Sequence, residues 1–219
     1  MDSLEKYARI FDESYKDYAD ARYQEISNMV AFFDSPQAKK LIDSEQFKEF
    51  SNILKPLIAI KNYKSQVPFP EDLGSVLLSI YNVRSNKPSQ DDLFKSHKSE
   101  FNNLLALQGF QLPTVSAIFH FCHPDSFPIV DVNVEAACAL LKERFPDDFE
   151  GVDAPMLPAA NTSSKNKLDK YLVFIAFINK VKNLQARYGG LLDYRYIDKA
   201  LMVLGVLRYR TQAEADESH

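Results

Sequence analysis

The chain is short of cysteine and glycine and has no long apolar run, and each shortage excludes something. Two cysteines, Cys122 and Cys138, cannot build a disulfide framework or a four-thiolate iron–sulfur cluster. They read as reduced, buried thiols of an intracellular protein. Six glycines against 16 phenylalanines and 11 tyrosines favour helices over a β-sandwich. The longest apolar run, Tyr171 to Ile178, is too short to span a bilayer, so no membrane role is expected. The N-terminal MDSLEKYARIFDESYKDY is charged and lacks the apolar core of a signal peptide. No Gly-rich nucleotide loop, Ser-His-Asp arrangement or paired-carboxylate motif is present, and no cofactor or metal is expected.

What is there is enough chain, 219 residues, for one sizeable core or two lobes. Net charge is −4, which does not advertise a nucleic-acid partner, but the charge is unevenly spread. Residues 1–35 carry 4 basic and 8 acidic groups, and residues 101–160 carry 2 and 8. Residues 161–210 carry 10 and 3, which is either a solvated basic helix pair or a footprint for a polyanion.

Apolar positions recur at helical spacing from Leu4 through Tyr7, Phe11, Tyr15 and Ile26 to Phe33. Ser35 and Pro36 open a short helix through Ile42, because serine caps and proline suits the first helical position. A helix from Ser44 toward Ile60, interrupted at Pro56, and a turn at 67–72 are expected next. Leu73 to Ile80 is helical, 82–92 a loop, and Ser99 to Leu107 helical, with Gly109 placed to terminate it. Val132 to Phe145 is a helix, and the Pro- and Ser-rich 146–166 a long loop. Helices from Leu168 to Tyr188 and from Leu192 or Tyr196 to Tyr209 follow, then a flexible tail, 211–219. No repeat and no strand alternation is visible, so the fold class is all-α.

The most informative stretch is LQGFQLPTVSAIFHFCHPDSFPIVDVNV, residues 107–134. A helix, the tight link Gly109–Phe110–Gln111–Leu112, and a second helix opened by Pro113 form a helix–turn–helix hairpin. Such a hairpin can aim backbone amides at a phosphate oxygen. An αα-hairpin that only packs has the same spacing. Asp131 is a favoured N-cap before the next apolar helix. His120 and His123 are one helical turn apart, but no further ligands complete a metal site, so packing and turn roles are expected. Tyr194, Tyr196 and Tyr209 interleave with Arg195, Arg208 and Arg210. Helix packing with snorkelling arginines accounts for that pattern better than stacking on bases.

This segment resembles the helix-hairpin-helix DNA glycosylase superfamily. Leu107, Gly109, Thr114, Ala117 and Ile118 fall on its hairpin positions. Phe127, Pro128, Ile129, Asp131, Asn133 and Val134 fall on its aspartate motif, most closely the adenine glycosylase branch. The match covers under 30 residues, about an eighth of the chain, and the helical reading on either side is compatible with the family's fold. It implies a two-lobed all-α fold: 36–130 as the lobe carrying the hairpin (99–122), and 1–35 with 131–210 as the second lobe. It implies DNA as partner, with Gly109, Phe110, Gln111, Leu112, Pro113 and Thr114 at its backbone, and base excision as the activity. Asp131 would be the catalytic carboxylate and Asn133 would hydrogen-bond the aspartate or the sugar. Gln111 replaces the second hairpin glycine. Pro113 stands where bifunctional members keep a lysine, so the resemblance implies a monofunctional hydrolase without lyase chemistry. A non-catalytic module that binds DNA or a protein partner through the same hairpin is the alternative.

Overall fold

The computed structural model describes residues 4–15, 20–44, 73–87, 96–107, 109–187 and 193–216. All regular structure among them is helical: α1 (Glu5–Tyr15), α2 (Ala21–Ala31), α3 (Pro36–Asp43), α4 (Leu73–Ser85), α5 (Lys98–Ala106), α6 (Leu112–Cys122), α7 (Val132–Arg144), α8 (Ser164–Ala186) and α9 (Tyr194–Asp216). Short 3-10 turns cover Phe32–Asp34 and Asp147–Phe149. Residues 45–72, which carry most of the helix expected from Ser44 toward Ile60 and the turn at 67–72, lie outside the described residues, as do 188–192.

The chain divides into two compact units, residues 1–16 with 128–219, and residues 17–127. Residues 17–35 therefore join the unit with the hairpin, whereas the sequence grouped them with 131–210. The physical reason is local to that unit: Ile26, Val30 and Phe33 are buried, and the Tyr23 hydroxyl bonds the His120 ring at 2.7 Å.

In the 17–127 unit, α6 is the central element. Leu112 and every residue from Thr114 to Cys122 are buried. Around it Phe101, Phe119 and Phe127 pack edge to face, with centroids 5.2 and 5.1 Å apart. Each such fully buried ring contributes roughly 1.5–3 kcal/mol of transfer free energy. Helix α4 continues to Ser85, so the loop expected from residue 82 begins later. Val83 is fully buried there, and Arg84 is tied at both ends, to Asp34 at 2.9 and 2.6 Å and to the Cys122 carbonyl at 2.6 Å. Ser35 caps α3 through its Oγ, which accepts from the Ala38 amide at 3.1 Å.

In the unit of 1–16 and 128–219, α9 is the shared partner of α1 and α7. Leu4, Ala8 and Phe11 supply the buried stripe of α1 and its entry, and the Leu4 amide donates to Gln185 of α8 at 2.9 Å. Phe149 and Phe177 stack face to face at 4.4 Å. The buried Tyr171 donates its hydroxyl to the Pro128 carbonyl at 2.8 Å. Helix α8 starts at Ser164, earlier than Leu168, because the Ser163 hydroxyl caps the Asn166 amide at 3.3 Å. Helix α9 runs to Asp216, so the expected tail is helical through that residue, in keeping with its run of good helix formers.

Candidate functional site

The hairpin link is a tight turn. The Phe110 amide donates to the Leu107 carbonyl at 3.1 Å, and Gly109 sits at φ +82°, a left-handed conformation that favours glycine. Helix α6 begins at Leu112, one residue before Pro113, with the extended Gln111 as its N-cap and no side-chain cap bond. The Gln111 carbonyl still starts the helix by accepting from the Val115 amide at 3.0 Å. Phe110, Leu112 and Thr114 are each 1% exposed, so their side chains belong to the core. Gln111, Pro113 and Gly109 are half-buried and form the accessible part of the link. The Phe110 amide is spent inside the turn and Pro113 has none. Of the link's amides, those of Gly109, Gln111 and Leu112 are not committed to this turn bond.

Asp131 lies in the other unit, at the start of α7. Its Oδ1 accepts from the amides of Asn133 and Val134, both at 3.0 Å. The side chain is half-buried, and Val132 beside it is 53% exposed. Capping thus fixes the carboxylate's orientation at the N-terminal end of α7. Asn133 is half-buried. Its backbone carbonyl is covered by Gly205 of α9, so closely that a Cβ built on that glycine would stand 2.0 Å from the oxygen. Glu135, in the first turn, accepts from the Leu157 amide at 3.2 Å and anchors the following loop. The sequence reading singled out Asp131 and Asn133 but not Gly205, which packs on the Asn133 backbone. A glycine inside a helical pattern was the available signal.

The basic 161–210 segment spends much of its charge inside its own unit. Lys167 is buried and donates to the Ala160 carbonyl at 3.0 Å, and burial lowers its pKa. Lys182 lies over the Tyr194 ring at 4.7 Å. Arg195 pairs with Asp198 at 2.8 Å and Lys199 with Asp12 at 2.7 Å, while both cover the Phe11 ring. Arg208 reaches the Ala136 carbonyl at 3.3 Å and Glu143 at 3.6 Å. Lys165 and Lys180 of α8 and Arg187 at its C-cap fall at spacings that return to one side of a helix. Tyr194 is buried with its hydroxyl on Asn179, so helix packing accounts for it, whereas Tyr209 is 47% exposed.

The histidines take packing and turn roles. His120 is fully buried, with Nδ1 on the Phe127 carbonyl and Nε2 on the Tyr23 hydroxyl, both at 2.7 Å. His123 sits at the C-cap of α6, where the backbone turns away, and its Nε2 bonds the Val83 carbonyl. Among the described residues no group of three or more His, Cys, Asp or Glu is placed to hold a metal ion. No described helix is long and apolar enough to cross a membrane.

Comparison of the chain with protein-family models, with curated proteins and with solved structures finds no match.

Proposed function

We propose that this chain is a DNA-binding helix-hairpin-helix protein of the DNA glycosylase type, which hydrolyses the N-glycosidic bond of a modified or mispaired base. The observation that supports the reading is Asp131: a carboxylate held by the Asn133 and Val134 amides, 22 residues after Gly109 of the hairpin turn, which sits at positive φ. In this reading, extrusion of the base from the stack costs a few kcal/mol, least for a damaged or mispaired one. As the C1′–N bond breaks, the sugar gains oxocarbenium character. Asp131 stabilises that charge and takes a proton from the attacking water, whose oxygen bonds to C1′ while the base leaves with the bonding electrons and is protonated by solvent. Pro113 offers no amine, so the product is an abasic site without strand scission.

A second reading, a non-catalytic module that binds DNA or a protein partner, is favoured by the internal pairing of Arg195, Lys199 and Arg208 and by the net charge of −4.

The test incubates the protein with duplexes carrying a panel of modified or mispaired bases and counts abasic sites. Asp131→Asn is the control, because asparagine caps a helix as well as aspartate and leaves the fold alone. Excision that disappears with the substitution supports the enzyme. Excision that survives it removes Asp131 from the mechanism. No excision together with salt-sensitive duplex binding supports the module.

A further inference from the structure

The three histidines of the 17–127 unit are satisfied unequally. His120 has a partner at each ring nitrogen. His123 is 9% exposed and has one, the Val83 carbonyl at Nε2. His97 is fully buried, and among the described residues neither of its ring nitrogens makes a well-formed hydrogen bond, with the Asn86 backbone nearby as a weak acceptor. The His97 and His123 rings stack, centroids 5.9 Å apart and 21° from parallel. Phe119 and Phe127 close around His97 edge-on, at 6.2 and 6.3 Å. An aromatic cage of this kind accommodates a neutral imidazole. It penalises an imidazolium, whose two N–H donors and charge find only the Asn86 backbone and the Glu100 charge nearby.

We propose that His97 and His123 form an acid-operated latch, which fastens the start of α5 to the end of α6 when neutral and releases it when the pair takes up protons.

The surrounding charges favour release. Asp34, before α3, is committed to Arg84 through two hydrogen bonds. Arg84 of α4 and Lys87 just beyond it are both positive, and Cys122 of α6 is a buried neutral thiol. Glu100 of α5 is the acidic group facing His97. Burial pushes the His97 pKa down, and the Asn86 backbone and the Glu100 charge only partly oppose it. For His123 burial again lowers the pKa first. The Val83 carbonyl opposes it, and His97, Arg84 and Lys87 lower it further. Protons have a route, because His123 lines an open cavity of about 430 Å³ with Asp34, Arg84, Lys87, Asp125 and Ser126.

Both folded-state values are thus depressed below the ordinary 6.5. The unfolded or released state binds more protons, so stability is complete above that pH and is lost as pH falls from it through the folded values. Because the rings stack, the first protonation opens the site for the second, and the loss is steeper than for one group. Release loosens α6, the helix that the Gly109 turn feeds, so partner binding through the hairpin falls with it.

The test follows thermal unfolding of the full chain at pH 7.5 and 5.5, together with NMR titration of the histidine ring protons. The wild-type midpoint is expected to drop by roughly 3–6 °C over that interval. In His97→Phe, which fills the cage with a ring that cannot titrate, at least half of the drop should vanish. An undiminished drop in the variant, or a flat wild type, overturns the latch. Should His97→Phe fail to fold, the wild-type titration decides: two buried rings titrating below the ordinary histidine value support it, and rings titrating at or above that value overturn it.

Discussion

Gly205 of α9 and Asn133 of α7 meet backbone to backbone: a Cβ on Gly205 would lie 2.0 Å from the Asn133 carbonyl oxygen and 2.6 Å from its carbonyl carbon. Only a glycine permits this approach, and the position it permits belongs to the turn that Asp131 caps. In an isolated helix, alanine for glycine gains about 1 kcal/mol. Here Gly205→Ala should instead cost roughly 3 kcal/mol, as the helices are forced apart. The midpoint of chemical denaturation gives the sign directly. A stabilised variant would show that the helices are not in contact at this point.

Asp131 performs one role that any version of the protein requires. Asp131→Ala removes the acceptor for two amides and should cost about 1 kcal/mol, whereas Asp131→Asn should stay within about 0.5 kcal/mol of wild type. If the carboxylate also serves catalysis, both variants lose excision by more than about a hundredfold, far beyond any effect of stability. Comparing denaturation curves with abasic-site yield separates the two roles.

Gly109 occupies a backbone conformation that L-residues avoid, φ +82°. Gly109→Ala should therefore destabilise the chain by about 1–2 kcal/mol through the turn alone. Duplex affinity, measured at fixed salt on protein verified as folded, should fall with it if the link approaches a phosphate. Unchanged affinity would place the binding surface elsewhere.

Both cysteines are buried. Burial pushes the Cys122 thiol up to about 12 and raises Cys138 as well, with Glu135 adding to the effect. A thiol reacts as its thiolate, so neither should label with a disulfide-exchange reagent at pH 8 in the folded chain. Two equivalents should label in denaturant, as the chain has 2 cysteines. Rapid labelling of one thiol without denaturant would reveal local opening around it.

Local chemistry made parts of this fold legible. Ser35 followed by Pro36, and Asp131 before Val132, mark helix starts because a cap acts on amides two or three residues away. Gly109 was legible for the same reason, since its left-handed turn is a property of the link itself. What escaped was non-local. Asn82 to Ser85 look like loop residues, yet Arg84 reaches Asp34 and the Cys122 carbonyl, partners far along the chain that hold the helix together. Residues 17–35 look like a continuation of the first helix, yet Tyr23 belongs with His120. The basic 161–210 segment reads as a charged surface, while Lys199 and Arg208 find their acids in α1 and α7. In each case the deciding partner lies dozens of residues away, beyond the reach of any periodicity.

The ring of His120 joins two such distant places, receiving the Tyr23 hydroxyl on one nitrogen and serving the Phe127 carbonyl with the other. Removing the Tyr23 hydroxyl alone leaves His120 Nε2, in the core, without its partner, and removing His120 alone leaves the Phe127 carbonyl without its own. Positions 23 and 120 should therefore change together over evolutionary time, tyrosine with histidine or two apolar residues. Any set of homologous sequences will carry that paired substitution as its trace.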